Sequence, residues 1–179
     1  VSGASQGIDR VTADGMGMLA TVINALALQN AIEKQKIPTR VLSAIPMQTI
    51  CEPFIKRRAI RHLNKGRIII LAAGTGNPYF STDTAATLRA AEMNCEAIFK
   101  GTSVDGVYDS DPKENSSSKK FSTISYKKVL SENLKVIDSS AISLARDNNI
   151  PMVVFSILEK KAFEKAVKGK GSYTVITED

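Results

Sequence analysis

The sequence predicts an α/β fold, with a mostly parallel sheet covered on both faces by helices. Three observations carry that prediction. Short apolar runs alternate with segments of helical periodicity along the chain. One run, Arg67-Ile68-Ile69-Ile70-Leu71, stops at the glycine loop Gly74-Thr75-Gly76-Asn77-Pro78, and helical periodicity restarts after Ser81-Thr82-Asp83. At 179 residues and 43% hydrophobic content, the chain is long and apolar enough for one domain with a sizeable core.

Taken in order, residues 12–34 read as a long helix with Met16, Leu19, Val22, Ile23, Leu26 and Ala27 on one stripe. Met18, Ala20, Ala25 and Leu28 make the neighbouring positions apolar as well. Both sides are therefore expected to be covered, which suits a central helix or a subunit interface. Residues 38–45 read as a strand ended by Pro46. A helix is expected over 52–65, with basic residues near its C-terminal end and Gly66 as its cap. Strand 67–71 feeds the glycine loop. Helix 82–94 follows, with Ala85, Ala86, Leu88 and Ala91 on its packed side, and then a short strand at 96–100. Residues 101–125 form a polar connection whose middle, 113–120, is rich in Ser and Lys. Helices are expected at 126–132 and 139–148, with Asp138 as N-cap of the second. Strand 151–155, helix 159–168 and strand 172–176 close the chain. In such sheets ligands gather at the carboxyl ends of the strands, where the glycine loop and the 100–112 loop both fall.

Composition narrows the function. The chain has no Trp and only 6% aromatic residues, a poor platform for stacking single-stranded nucleic acid. The net charge of +6 is scattered along helix faces, so small anionic ligands or a merely solvated surface are expected rather than a nucleic acid. Cys51 and Cys95 lack CxxC spacing and read as free thiols of a reducing compartment. No apolar run is expected to reach the roughly 20 residues that span a bilayer. The start of the sequence lacks a signal peptide's basic-then-apolar order, so a cytoplasmic location is expected.

The chemistry must come from the strand ends. In the glycine loop, two glycines let backbone approach a ligand, and the amides of the following helix point out of its N-terminus. Thr75, Asn77, Ser81 and Thr82 add neutral donors and acceptors suited to a phosphate or a base edge. Asp83 falls in the first helical turn, where a carboxylate is stabilising; a plain structural turn with a capping Ser-Thr-Asp is the competing reading. The second loop packs Asp105, Asp109 and Asp111 into seven residues. Carboxylates there suit magnesium held through water, or ribose hydroxyls, while a series of polar turns is the bland alternative. The EF-hand pattern fails, because no Glu ends it. His62 is the only His and reads as surface or packing; no His or Cys metal set is expected.

Three segments taken together resemble the bacterial uridylate kinase family, a branch of the amino-acid kinase superfamily. They are Asp14-Gly15-Met16-Gly17-Met18-Leu19-Ala20-Thr21, then Gly74-Thr75-Gly76-Asn77-Pro78-Tyr79-Phe80-Ser81-Thr82-Asp83, then Val104-Asp105-Gly106-Val107-Tyr108 ahead of Asp111-Pro112. The resemblance runs from about residue 7 to the end, with Gly15 and Ser81 as mild departures. It implies a carbamate kinase-like, three-layer sandwich with a mostly parallel central sheet, formed by 1–179 as a single domain. It also implies transfer of the γ-phosphoryl group of ATP to UMP, with magnesium. By that resemblance Asp14 binds the UMP ribose, and Thr75, Gly76, Asn77, Pro78, Tyr79, Phe80, Ser81 and Thr82 form the UMP loop. Thr102, Tyr108 and Asp111 bind ATP, Tyr108 beside the adenine and Asp111 close to the ribose. Asp138 lies near the transferring phosphate, with Asp83 as a second acidic candidate. A homohexamer activated by GTP and inhibited by UTP is implied as well.

Family members begin with a strand ending in Lys-x-Ser-Gly, and a later Gly-Gly loop carries Arg. Val1-Ser2-Gly3 matches the remnant of either, so the sequence is expected to lack the family's N-terminal strand and phosphate loop. Two other readings stay open at this point: a non-catalytic nucleotide-binding or regulatory module, and a related kinase acting on a carboxylate or carbamate.

Overall fold

In the computed structural model, which describes residues 7–112, 114–115, 117–134 and 136–178, the chain alternates helix and strand through two compact units, Val1–Ala85 and Ala86–Asp179. The Val1-Ser2-Gly3 segment lies outside the described residues.

In the first unit, Asp9 starts helix α1 (Arg10–Glu33): its carboxylate accepts from the Thr12 amide at 3.1 Å and the Thr12 hydroxyl at 2.6 Å. The helix ends before Lys36, which takes a positive φ of 62°, and Pro38 bars its continuation. The helix packs on the sheet through Met18, Val22 and Ala25, at i, i+4 and i+7, against Val41, Ala72 and Ala73. The predicted stripe is therefore only partly right, since Met16, Leu19 and Ile23 are 54%, 48% and 69% exposed. A helix apolar on most sides carries no period that selects one face. The expectation that no stretch reaches membrane-spanning length also fails. Helix α1 has 24 residues and a window of mean hydropathy 1.5, long and apolar enough by length and composition to cross a bilayer.

Strand β1 (Thr39–Ser43) runs parallel to β2 (Glu52–Pro53) on one side and to β3 (Ile68–Ala72) on the other, giving the order β2-β1-β3. The helix predicted over 52–65 starts late: α2 spans Lys56–Asn64, and Glu52 and Pro53 pair with Leu42 and Ser43 instead. Proline disfavours helical backbone in the residue before it, which here is Glu52. His62 and Arg61 fall in the last turn of α2, and Gly66, at φ 67°, carries the chain out of the helix. His62 is buried: Nε2 meets the Glu52 carboxylate at 3.1 Å and Nδ1 meets Arg67 Nη1 at 3.0 Å. Arginine only donates, so Nδ1 accepts and Nε2–H donates to Glu52. The only histidine thus joins α2, β2 and the approach to β3 by packing.

Helix α3 (Thr82–Glu92) follows β3 and carries the boundary between the units. Its buried side is Thr84, Ala85, Thr87 and Ala90; Ala86, predicted to pack, is exposed. The second unit adds β4 (Ile98–Thr102), β5 (Thr123–Ser125), α4 (Tyr126–Ser131), α5 (Ser139–Asp147), β6 (Met152–Ser156), α6 (Ala162–Val167) and β7 (Tyr173–Thr177). Its sheet has the order β4-β6-β7-β5, with β4 parallel to β6, β5 parallel to β7, and β6 antiparallel to β7. Its core joins Val107, Ile124, Val129, Ile142, Met152, Val154 and Ile176. Tyr126 is buried with them, its hydroxyl donating to the Ile150 carbonyl at 2.6 Å. Among the described residues the strands form two hydrogen-bonded sheets, both built mainly from parallel pairs, in keeping with the mostly parallel α/β fold that the sequence predicts.

Candidate functional site

The first unit places a strained loop at the carboxyl end of β3. Ala73, Gly74, Gly76 and Tyr79 all take positive φ, at 63°, 57°, 81° and 71°. Glycine accepts this at no steric cost, but a bulky tyrosine does so rarely. A side chain at Gly76 would also stand 3.3 Å from the Ala44 carbonyl, so only hydrogen fits comfortably.

Within the loop, Thr75 and Asn77 bind one another. The Thr75 hydroxyl accepts from the Asn77 amide at 3.2 Å and donates to its carbonyl at 3.3 Å. Ser81 accepts from the Thr84 amide at 3.1 Å, so its hydroxyl serves α3 as a cap. Tyr79 and Phe80 are 65% and 57% exposed, leaving two aromatic faces beside these polar groups. Pro78 lies between Asn77 and Tyr79; Thr82 opens α3, and Asp83 sits in its first turn.

Asp14, 65 residues away in sequence, meets this loop directly. Its Oδ2 accepts from the Tyr79 amide at 2.7 Å, and Arg10 Nε donates to both carboxylate oxygens at 3.0 and 2.9 Å. The Tyr79 amide, then Arg10, hold the Asp14 carboxyl below its usual range. The Arg10 guanidinium carbon also lies 5.5 Å from the Tyr79 ring centroid. Arg10 was not among the predicted site residues, although its i,i+4 spacing to Asp14 is the pattern of a helical ion pair.

In the second unit, the 103–112 loop leaves β4 and borders a cleft of about 490 Å³. Thr102, Tyr108 and Asp111 all line this cleft, so the three residues assigned to ATP come together. Its other wall includes Glu132, Asn133, Leu134 and Val136, which no sequence motif marked.

The loop is fastened by Asp105. One oxygen accepts from the Tyr108 hydroxyl at 2.6 Å; the other accepts from Lys120 Nζ at 2.9 Å and from the Ser172 hydroxyl. Burial pushes the Asp105 carboxyl up, but the bonds from Ser172, Tyr108 and Lys120 outweigh it and hold it well below the carboxylate range. The hydrogen bond to Asp105, aided by burial, raises the Tyr108 phenol to about 12. The Thr174 hydroxyl accepts from the Val107 amide at 2.9 Å. Gly106 is required here, because a Cβ would lie 2.5 Å from Thr174 Oγ1. Lys120, Ser172 and Thr174 lie far along the chain from Asp105, and nothing in their local sequence announces the contact.

Asp138 occupies the predicted N-cap position of α5 with extended backbone, φ −60° and ψ 135°, but its side chain makes no capping hydrogen bond to the helix. It follows Ile137, which is buried in the core of the unit.

Known proteins match the chain over nearly its whole length. The amino acid kinase family model matches residues 3–156. A uridylate kinase of Zymomonas mobilis is 57% identical over 176 residues, covering 98% of this chain and 73% of that protein. One from Cereibacter sphaeroides is 60% identical over 174 residues, covering 97% and 71%. Among solved structures, UMP kinase from Ureaplasma parvum superposes with a TM-score of 0.94 at 40% identity, covering 98% of this chain and 75% of its own. On motif order, fold and identity along nearly its whole length, the chain belongs to the amino acid kinase family, within its uridylate kinase branch.

Proposed function

We propose that the chain transfers the γ-phosphoryl group of ATP to UMP, forming UDP and ADP. The observation that carries this reading is the junction from β3 to α3. Its glycine loop offers backbone, hydroxyl and amide groups to a nucleotide, in a chain 57% identical to a uridylate kinase. A phosphate oxygen of UMP attacks the γ-phosphorus, the bond to the β–γ bridging oxygen breaks, and ADP leaves. Such transfer needs little covalent help; it needs the two phosphates aligned and their charge offset.

In this reading residues 75–82 hold UMP, with Thr75, Asn77 and Thr82 as its polar contacts. Asp14 accepts from the ribose. A carboxylate has about four lone-pair sites, so the Tyr79 and Arg10 bonds leave room for a hydroxyl. Thr102, Tyr108 and Asp111 hold ATP, and Asp138 and Asp83 are the acids near the transferring phosphate. Magnesium, carried chiefly by the phosphates of ATP, would supply charge neutralisation.

We further take residues 1–179 as one kinase domain, which the family match running through both units supports. A homohexamer is supported by the exposed apolar side chains Met16, Leu19 and Ile23 on α1. Activation by GTP and inhibition by UTP rest on the resemblance alone. A cytoplasmic location is supported by the free thiols of Cys51 and Cys95. A coupled assay of ADP release tests the acceptor: turnover is expected with UMP, and turnover with acetylglutamate, aspartate or carbamate in its place would overturn the choice.

A further inference from the structure

Two non-glycine residues flanking the glycine loop lie in the left-handed region, Ala73 at φ 63° and Tyr79 at φ 71°. Residues held there cost energy and persist only where their surroundings over-determine them. The backbone amides of both donate to side chains of α1. The Ala73 amide reaches Thr21 Oγ1 at 2.8 Å, and the Tyr79 amide reaches Asp14 Oδ2 at 2.7 Å. Thr21 and Asp14 are seven residues apart, two helical turns, and so share one face of α1. Each acceptor is itself oriented. The Thr21 hydroxyl spends its proton on the Met18 carbonyl at 2.7 Å, which turns a lone pair toward Ala73. Arg10 grips both oxygens of Asp14.

We infer that Thr21 and Arg10 are positioning residues for the UMP loop: α1 holds the loop's two strained ends through paired amide staples, Thr21 directly at Ala73 and Arg10 through Asp14 at Tyr79. This rests on the reading of the loop as the UMP site. Neither residue need touch the nucleotide. Their work is to keep the amides and hydroxyls between residues 74 and 78 in the binding shape before UMP arrives, which lowers the ordering cost of binding.

The test compares the wild-type protein with Thr21→Val, Thr21→Ser and Arg10→Ala. Valine keeps the shape of threonine and removes the acceptor; serine restores it. Amide-resolved hydrogen exchange should accelerate at Ala73 in Thr21→Val and at Tyr79 in Arg10→Ala, with α5 amides unchanged as the control for folding. In the kinase assay, KM for UMP should rise roughly 3- to 10-fold, the worth of about one hydrogen bond. The kcat and the KM for ATP should stay near wild type, and Thr21→Ser should recover both readouts. Unchanged exchange at Ala73 and Tyr79, or equal losses in UMP and ATP parameters, would overturn the inference. A wild-type protein without UMP-dependent turnover would instead sink the assignment of UMP, while the exchange measurements would still decide whether the staples exist.

Discussion

Asp105 shows how much a single side chain decides at the 103–112 loop. Its carboxylate gathers a phenol, an ammonium and a hydroxyl from Tyr108, Lys120 and Ser172. Tyr108 ordinarily ionises near 10 and is raised to about 12 by this bond. Its contribution to stability is fully present below the unfolded phenol's pKa and is lost as pH rises through about 12. Asp105 works in the opposite sense: held low, it contributes above the ordinary carboxylate range and its contribution is lost only in strong acid. In Asp105→Asn, phenolate absorbance should show the Tyr108 transition moving down from about 12 toward its ordinary value. An unmoved transition would mean the bond is not what raises it. At this scale the sequence was partly readable. Asp105 and Gly76 stood out by type and position, Asp14 only through the family resemblance, and the Arg10–Asp14 spacing was there to be read. Lys120, Ser172 and Thr174 were not, because partners brought together by the fold leave no local pattern.

At the scale of elements, periodicity located the six helices and the five longer strands of the described residues. The short strands were missed for physical reasons. Strand β2 is two residues long and β5 three, too few for alternation to register. Proline at position 53 also marked the break before α2, and it should have shortened that helix. Helix α5 is the element on which the second core depends. Ala141, Ile142 and Ala145 are fully buried along one side of it, within the cluster that holds Val129, Met152 and Ile176. Ile142→Ala would leave a cavity there and should cost about 2–5 kcal/mol in denaturant unfolding. A loss below about 1 kcal/mol would show that the site collapses around the smaller side chain. Helix α1 makes the opposite point. Its apolar residues surround most of the helix, so composition marked a covered element but did not choose which side meets the sheet.

For the whole molecule, the alternation of strand and helix was enough to predict the fold class, while the strand order within each sheet of the described residues was not readable from it. Which strand edges pair depends on contacts between distant segments rather than on local period. The exposed apolar side of α1 carries the proposal of a homohexamer. Sedimentation of the wild-type protein should give a multiple of the monomer mass, and Ile23→Asp should lower it; a wild-type monomer at micromolar concentration would count against the assembly. Phosphorus NMR of ATP, UMP and magnesium with the protein follows the proposed transfer itself: the α- and β-phosphate resonances of UDP and those of ADP should grow together as the UMP signal falls. A spectrum in which ATP is consumed with UMP unchanged, or in which neither changes, would contradict it.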